Sequence, residues 1–200
     1  MPEDPLFRWI ALAIVLVTFS ISSIYRRRAD REGGAVDRAA VEAPGIRRAL
    51  IGGGLLLLAA LLAYLIHPPL MAWSMVPVPE TIRWAGVVLG VLTAVNTGWI
   101  FRSLGLNVTP TVVTRQRAAL VTHGPYRFIR HPLYVNGALA FLAVSLMSRS
   151  WLFAVMMVPT LILLSIRTRD EEVHLASRFG DAWTTYASRT GRFLPRLRRS

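Results

Sequence analysis

The sequence predicts an all-α integral membrane protein of about five transmembrane helices, with the N-terminus outside and the C-terminus cytoplasmic. Three observations carry this expectation. The 200-residue chain is 54% hydrophobic, and its mean hydropathy is positive. Its apolar residues fall in long runs, several of them near the ~20 residues a helix needs to cross a bilayer. Its basic residues, all 23 of them arginine, gather between alternate runs.

The runs follow in order. Leu6 to Tyr25 gives a first span. The preceding MPEDP is acidic and no small-residue cleavage site stands before Arg26-Arg27-Arg28, so a retained helix is expected rather than a signal peptide. Ala49 to Ile66 gives a second span, closed by His67-Pro68-Pro69, and Trp84 to Phe101 a third. Leu133 to Met147 and Trp151 to Ile166 give a fourth and fifth, joined by a tight turn around Arg149. The fourth is about fifteen residues long, short enough to be one arm of a shallow hairpin.

Charge fixes the expected orientation. The loop Arg26–Arg48 holds seven arginines, the loop after the third span five, and the tail from Arg167 eight. Only Arg8, Arg83 and Arg149 fall on the other side. Five spans put all three rich segments on one face, which the positive-inside rule makes cytoplasmic. The same distribution accounts for the +12 net charge without nucleic acid. The stretch Ala29–Pro44, with Gly33-Gly34 and mixed charge, is expected to be a flexible connector. No internal repeat is evident. Residues 1–103 form an N-terminal helical half and 104–200 a core with a cytoplasmic tail.

Several chemistries are excluded or discounted. The chain has no cysteine, which removes disulfides, thiolate metal sites and cysteine nucleophiles. No Walker, HExxH or nucleophile-elbow pattern occurs, and no metal site is expected. Gly52-Gly53-Gly54 sits inside a membrane helix, where small residues let neighbouring helices approach. Asn96, Thr93 and Thr97 lie within the third span and are expected to bond to a neighbouring helix.

Two polar stretches remain: LVTHGPYRFIRHPLY, Leu120 to Tyr134, and RTRDEEVHL, Arg167 to Leu175, followed by RFGDAWTTYASRTGRFLP. The hairpin of the last two spans brings Arg130-His131-Pro132 and Arg167–Glu172 to one end. There they offer guanidinium groups, an imidazole, phenols and two carboxylates. A carboxylate ligand suits Arg130 or His131, and an ammonium or sulfonium suits Glu171 or Glu172. Tyr126 or Tyr134 can stack on a flat base or face a cation. Gly124-Pro125 makes a turn, and Pro132 can start the fourth helix. A ligand such as S-adenosylmethionine has these properties. Taken singly, each residue also has a plain reading: Arg127 and Arg130 as interfacial anchors, His131 as an interfacial histidine, Glu171 and Glu172 as partners of Arg167 and Arg169.

The pattern of Leu120-Val121, Gly124-Pro125-Tyr126, Arg130-His131-Pro132 and Tyr134, then Glu171-Glu172, Phe179-Gly180, Tyr186 and Pro195, resembles the isoprenylcysteine carboxyl methyltransferase family, related to the membrane phospholipid N-methyltransferases. The resemblance covers about Leu104 to Pro195. It departs at Trp183, where the family has tyrosine, and it leaves the first two spans without a signature. It implies an S-adenosylmethionine-dependent methyltransferase with its cofactor site at the cytoplasmic end of the last helical hairpin. The cofactor would be held by His123, Gly124, Pro125, Tyr126, Arg130, His131, Pro132, Tyr134, Glu171 and Glu172. Arg167 and Glu172 would be catalytic. The acceptor would be lipophilic and enter from the bilayer, most simply an isoprenylcysteine-like carboxylate, with a phospholipid amine or a small thiol as alternatives. A membrane reductase using NADPH and a non-enzymatic scaffold gripping anionic lipid are the rival classes.

Overall fold

A computed structural model describes residues 5–33, 44–107 and 119–196. Six α-helices follow in order: α1 (Pro5–Gly33), α2 (Pro44–Ile66), α3 (Glu80–Leu104), α4 (Pro132–Ser148), α5 (Trp151–Phe179) and α6 (Asp181–Arg189). Short 3₁₀ helices cover Pro68–Ser74, Gly105–Asn107 and Gly124–Arg127. Helices α1, α2, α3 and α5 are long and apolar enough to cross a membrane. Helix α4, at 17 residues, spans about 25 Å, a little less than a ~30 Å hydrocarbon core. The protein is thus an integral membrane protein with four full-length apolar helices and one shorter one.

Two helices run past their expected ends. The first continues eight residues beyond Tyr25 to Gly33, so Ala29–Gly33 belong to α1 and not to the connector. Arg28 pairs with Glu32 one turn on, Nε to Oε1 2.9 Å, which favours continuation. The rest of the expected connector, 34–43, lies outside the described residues. The fifth helix continues from Ile166 through the whole RTRDEEVHL stretch and stops where Gly180 takes φ 51°. Glu171 and Glu172 therefore stand on a rigid helix.

The bundle is sealed at both ends by α1 and α3, which run parallel. At one end Arg83 lies over the Phe7 ring at 3.7 Å and Phe7 meets Trp84 edge-on at 5.2 Å. At the other, arginine-rich end, Tyr25 stacks on Phe101 at 5.8 Å. Exposed Trp9, Trp73, Trp84 and Trp151 ring the Arg83 end, as expected of an interfacial aromatic belt. There the α4–α5 turn is pinned: Arg149 takes a left-handed conformation (φ 58°, ψ 17°), its carbonyl accepts from Val76 N at 2.9 Å, and buried Ser74 and Ser150 share a 2.7 Å hydrogen bond. The tight turn expected around Arg149 is present.

Glycine does bring helices together, but not where the sequence pointed. Nothing in the described structure lies within 4 Å of a Cβ built on Gly52, Gly53 or Gly54. Helix α2 packs through its other half, where Leu57, Ala60, Leu61 and buried Tyr64 join the core. The close approach is at Gly86 of α3. A Cβ there would lie 2.8 Å from Leu146 Cβ and 3.0 Å from the backbone nitrogen of Met147. Gly86→Val is expected to force α3 and α4 apart and lower stability by roughly 1–3 kcal/mol. Thermal unfolding in detergent checks this.

The same helix pair is fastened by the polar residues of the third span. Asn136 of α4 is buried. Its amide donates to Thr93 O at 3.0 Å and to Thr97 Oγ1 at 2.9 Å, and its Oδ1 accepts from Asn96 Nδ2 at 2.9 Å. The expectation that Asn96, Thr93 and Thr97 serve helix packing holds. This latch lies one turn along α4 from Pro132, so it fixes the start of α4, and the residues just before it, relative to α3.

Candidate active site

The site is built where the chain leaves the 3₁₀ turn and enters α4. Gly124 has φ 60° and faces Ser103 and Trp99 of α3. Pro125 is buried and opens the turn; Pro132 opens α4. Both use the preset proline torsion at the first helical position, where a missing N–H costs nothing. Between them residues 129–131 belong to neither helix. Their backbone pairs with the segment after α6: Ile129 bridges Gly191 in parallel, Arg130 N donates to Gly191 O at 2.9 Å, and His131 N donates to Arg192 O at 3.1 Å.

Glu172 is the centre of the side-chain cluster. Its Oε1 accepts from Arg130 Nε at 2.9 Å, from His131 Nε2 at 3.1 Å and from Arg192 Nε at 3.1 Å. Its Oε2 accepts from an Arg192 terminal nitrogen. An ionised carboxylate has about four such acceptor positions, and here three donors meet Oε1 and one meets Oε2, so both oxygens are engaged by protein. The Arg130 guanidinium also donates to the carbonyls of Ala187, at 3.0 Å, and Thr190. Both groups are thus committed to holding protein against protein.

Glu171 differs. Its Oε2 accepts from Tyr134 Oη at 3.2 Å and lies 4.0 Å from His131 Nδ1. Among the described residues Oε1 carries no hydrogen bond, and the side chain is 27% exposed against 14% for Glu172. Aromatic rings gather beside it. The His131 and Tyr134 rings stack with centroids 5.5 Å apart and 6° between planes, and Phe193 packs on His131 at 5.8 Å. Tyr126 lies close enough that its hydroxyl is pushed well above the ordinary phenol range, first by burial and then by the Glu171 charge. Tyr186 donates to Tyr126 O at 2.8 Å, and burial pushes its own hydroxyl up to about 12. These phenols stay protonated at any working pH.

The structure therefore brings Tyr126, Arg130, His131, Tyr134, Glu171 and Glu172 together, with Gly124, Pro125 and Pro132 shaping the backbone around them. His123 is exposed at the head of the turn, where its carbonyl accepts from Tyr126 N at 3.2 Å; its side chain takes part in none of the cluster's hydrogen bonds among the described residues. Arg167 stands four residues before Glu171 on α5, half-buried; that spacing places the two on one helix face. The sequence reading missed Arg192, Phe193 and the carbonyls of Ala187 and Thr190. Arg192 was one of eight tail arginines, and nothing in its neighbours separates it from an interfacial anchor. A signal did exist in Thr190-Gly191, a break after α6 that allows the chain to turn back.

Known proteins resemble this chain in sequence and in fold. A family model described as phospholipid methyltransferase matches residues 81–182, which include α3, α4 and the acidic pair. The nickel-cobalt-cadmium resistance protein NccN of Alcaligenes xylosoxydans xylosoxydans is 34% identical over 135 residues, 57% of this chain and 63% of that protein. The cobalt-zinc-cadmium resistance protein CzcN of Cupriavidus metallidurans is 39% identical over 84 residues, 42% of this chain and 38% of that protein. The matches thus span less than two thirds of either relative. The eukaryotic intramembrane Ras methyltransferase, isoprenylcysteine carboxyl methyltransferase, superposes with a TM-score of 0.55 at 18% identity, covering 93% of this chain and 67% of that one; that likeness is one of fold. Since the family match runs over half of the chain and takes in both halves of the Arg130–Glu172 cluster, this protein belongs to the phospholipid methyltransferase family.

Proposed function

We propose that this protein is an S-adenosylmethionine-dependent methyltransferase acting on a lipid-borne acceptor, with its site on the cytoplasmic face of the membrane, in a bacterium its cytoplasmic membrane. The observation that carries the reading is Glu171: a part-exposed carboxylate whose Oε1 has no hydrogen bond among the described residues, set among Tyr126, Tyr134 and the His131 ring. A carboxylate beside aromatic faces suits a compact organic cation, and S-adenosylmethionine carries two, a sulfonium and an ammonium. When bound, the cofactor supplies a methyl group already activated for transfer. The chain's residues then align and desolvate. Glu171 and the stacked His131–Tyr134 pair form the cation-facing wall. The His123–Tyr126 turn flanks it, and Arg130, Pro132 and Glu172 hold that wall in place. Rigid placement of the two reactants is the main catalytic resource for such a displacement.

The same geometry suits more than one acceptor. A carboxylate acceptor of the isoprenylcysteine kind needs no base and would be oriented by Arg167. An amine acceptor must lose a proton, and Glu171 Oε1 is placed to take it. An oxygen with no hydrogen bond among the described residues favours the amine, with a small thiol as a third class served by the same group.

The first experiment is titration of the detergent-purified protein with S-adenosylhomocysteine, with NADPH in parallel. Saturable binding of S-adenosylhomocysteine alone supports the reading. NADPH binding alone would move the protein to the membrane reductases, and binding of neither, in folded protein, would leave a lipid-binding scaffold. Glu171→Gln then separates the acceptors. Turnover of phosphatidylethanolamine is expected to fall by about 10²–10⁴-fold with loss of the base. Turnover of a prenylcysteine is expected to change mainly through a higher cofactor KM.

A further inference from the structure

We infer that Arg192 is a positioning residue for this reaction, acting through Glu172 on the cofactor-facing wall. The inference rests on the function just proposed. It starts from a gap in the scaffold: Arg130 and His131 lie between a 3₁₀ turn and α4, and their amides make no helical hydrogen bond. The amides of Arg130 and His131 are satisfied instead by the carbonyls of Gly191 and Arg192. The Thr190–Phe193 segment is thus the template on which the site's own backbone is laid. A backbone pairing of two hydrogen bonds and one bridge is too short to be stable alone.

Side chains hold the template down. Arg192 reaches both oxygens of Glu172 with two guanidinium nitrogens, a forked pairing that fixes angle as well as distance. Arg130 grips the same segment from the other side through the Thr190 carbonyl. Phe193 covers the His131 ring. Glu172 passes the constraint on, because the same Oε1 that meets Arg192 also holds His131 Nε2. His131 stacks on Tyr134, and Tyr134 donates to Glu171. The line from Arg192 to Glu171 is continuous, each step a direct contact between side chains. Arg192 touches no part of the proposed cation-facing wall except through Glu172 and its own backbone carbonyl.

The roles of the two acidic residues separate accordingly. Glu172, with both oxygens engaged by protein donors, is a positioning residue rather than a base. Glu171 is the carboxylate that faces the reactants.

The test is Arg192→Ala and Arg192→Lys in the full chain in nanodiscs, with Arg196→Ala as a neighbouring control. Hydrogen exchange of the peptide carrying the Arg130 and His131 amides is read first, since it needs no activity. Arg192→Ala is expected to speed that exchange and to raise the cofactor KM by roughly tenfold, the worth of a charge-assisted pairing, while kcat at saturating cofactor stays nearly unchanged. Lysine keeps the charge but not the fork, so Arg192→Lys falls between alanine and wild type on both readouts. Arg196→Ala matches wild type. Unchanged exchange in Arg192→Ala overturns the inference, as does faster exchange with a wild-type cofactor KM. If wild-type protein binds no S-adenosylhomocysteine, the proposed function fails; the exchange data still decide whether Arg192 clamps the segment.

Discussion

Glu172→Gln should abolish most activity, by about a hundredfold or more, although glutamine is nearly the same size. Three cationic or N–H-bearing side chains, Arg130, His131 and Arg192, converge on this one carboxylate. The amide offers one acceptor oxygen where there were two, and its nitrogen adds donors facing donors. It also removes the negative charge that Arg130 and Arg192 share, and the two guanidinium groups are then left to repel. Breaking a largely buried ion pair by removing one partner costs roughly 3–5 kcal/mol, and each 1.4 kcal/mol is about tenfold in an equilibrium. The variant should still insert, because the apolar faces of the five helices are untouched. It should show a lower unfolding temperature and a cofactor affinity too weak to measure. Pairing it with Arg192→Ala sharpens the test. If Glu172 is the hub, removing Arg192 from the glutamine variant should cost little more, since the interaction is already gone. Full additivity would mean that Arg192 acts on something other than Glu172. Glu172→Asp is a second check: one methylene shorter, it keeps the charge but cannot reach all three donors, and should retain part of the activity.

The sequence made the membrane helices legible because their signal is repeated. Fifteen or more apolar residues in a row, with arginine on alternate sides, leave few other arrangements. It also carried the pairing of Arg130-His131 with Glu171-Glu172, since a hairpin of two apolar helices must return the chain to where it began. What it did not carry was the difference between the two glutamates. Adjacent residues on a helix point about 100° apart, and which one faces the guanidinium groups depends on how α5 is rotated against α4. That rotation is set by packing, not by local pattern. The glycine triplet misled for a related reason. Small residues permit close approach but do not cause it, and at Gly86 the cause is the facing backbone of Met147. The length of α1 and α5 was underestimated because the apolar signal ends at the membrane surface while the hydrogen-bonded helix does not. Arg192 was invisible among its seven fellow arginines because its importance comes from a chain reversal at Gly191 that places it beside α5.

Gly124→Ala should also remove activity, and for a reason that can be divided in two. At φ 60° any residue with a Cβ is strained, at roughly 1–2 kcal/mol. The added carbon would also sit 2.1 Å from Ser103 Oγ and 3.0 Å from Ser103 Cβ, with Trp99 Nε1 at 3.4 Å. Ser103 Oγ alone could rotate aside by giving up its 2.9 Å bond to Trp99 O, but its Cβ is fixed to α3. So the 3₁₀ turn must lift away from α3, and Tyr126 moves with it. That displaces the carbonyl on which Tyr186 is anchored at 2.8 Å, and through it the end of α6. Cofactor binding is expected to fall about a hundredfold or more, since strain and overpacking together amount to roughly 2–5 kcal/mol. The double variant Gly124→Ala, Ser103→Gly removes the steric part and leaves the torsional part. It should recover most of the loss, stopping about tenfold short of wild type. Recovery to wild type would mean that the left-handed conformation carries no cost. No recovery at all would mean that the turn is held against Trp99 rather than Ser103. In both variants the α3–α4 latch at Asn136 is out of reach of the change, so insertion and helix content should match wild type, and the defect should be confined to the site.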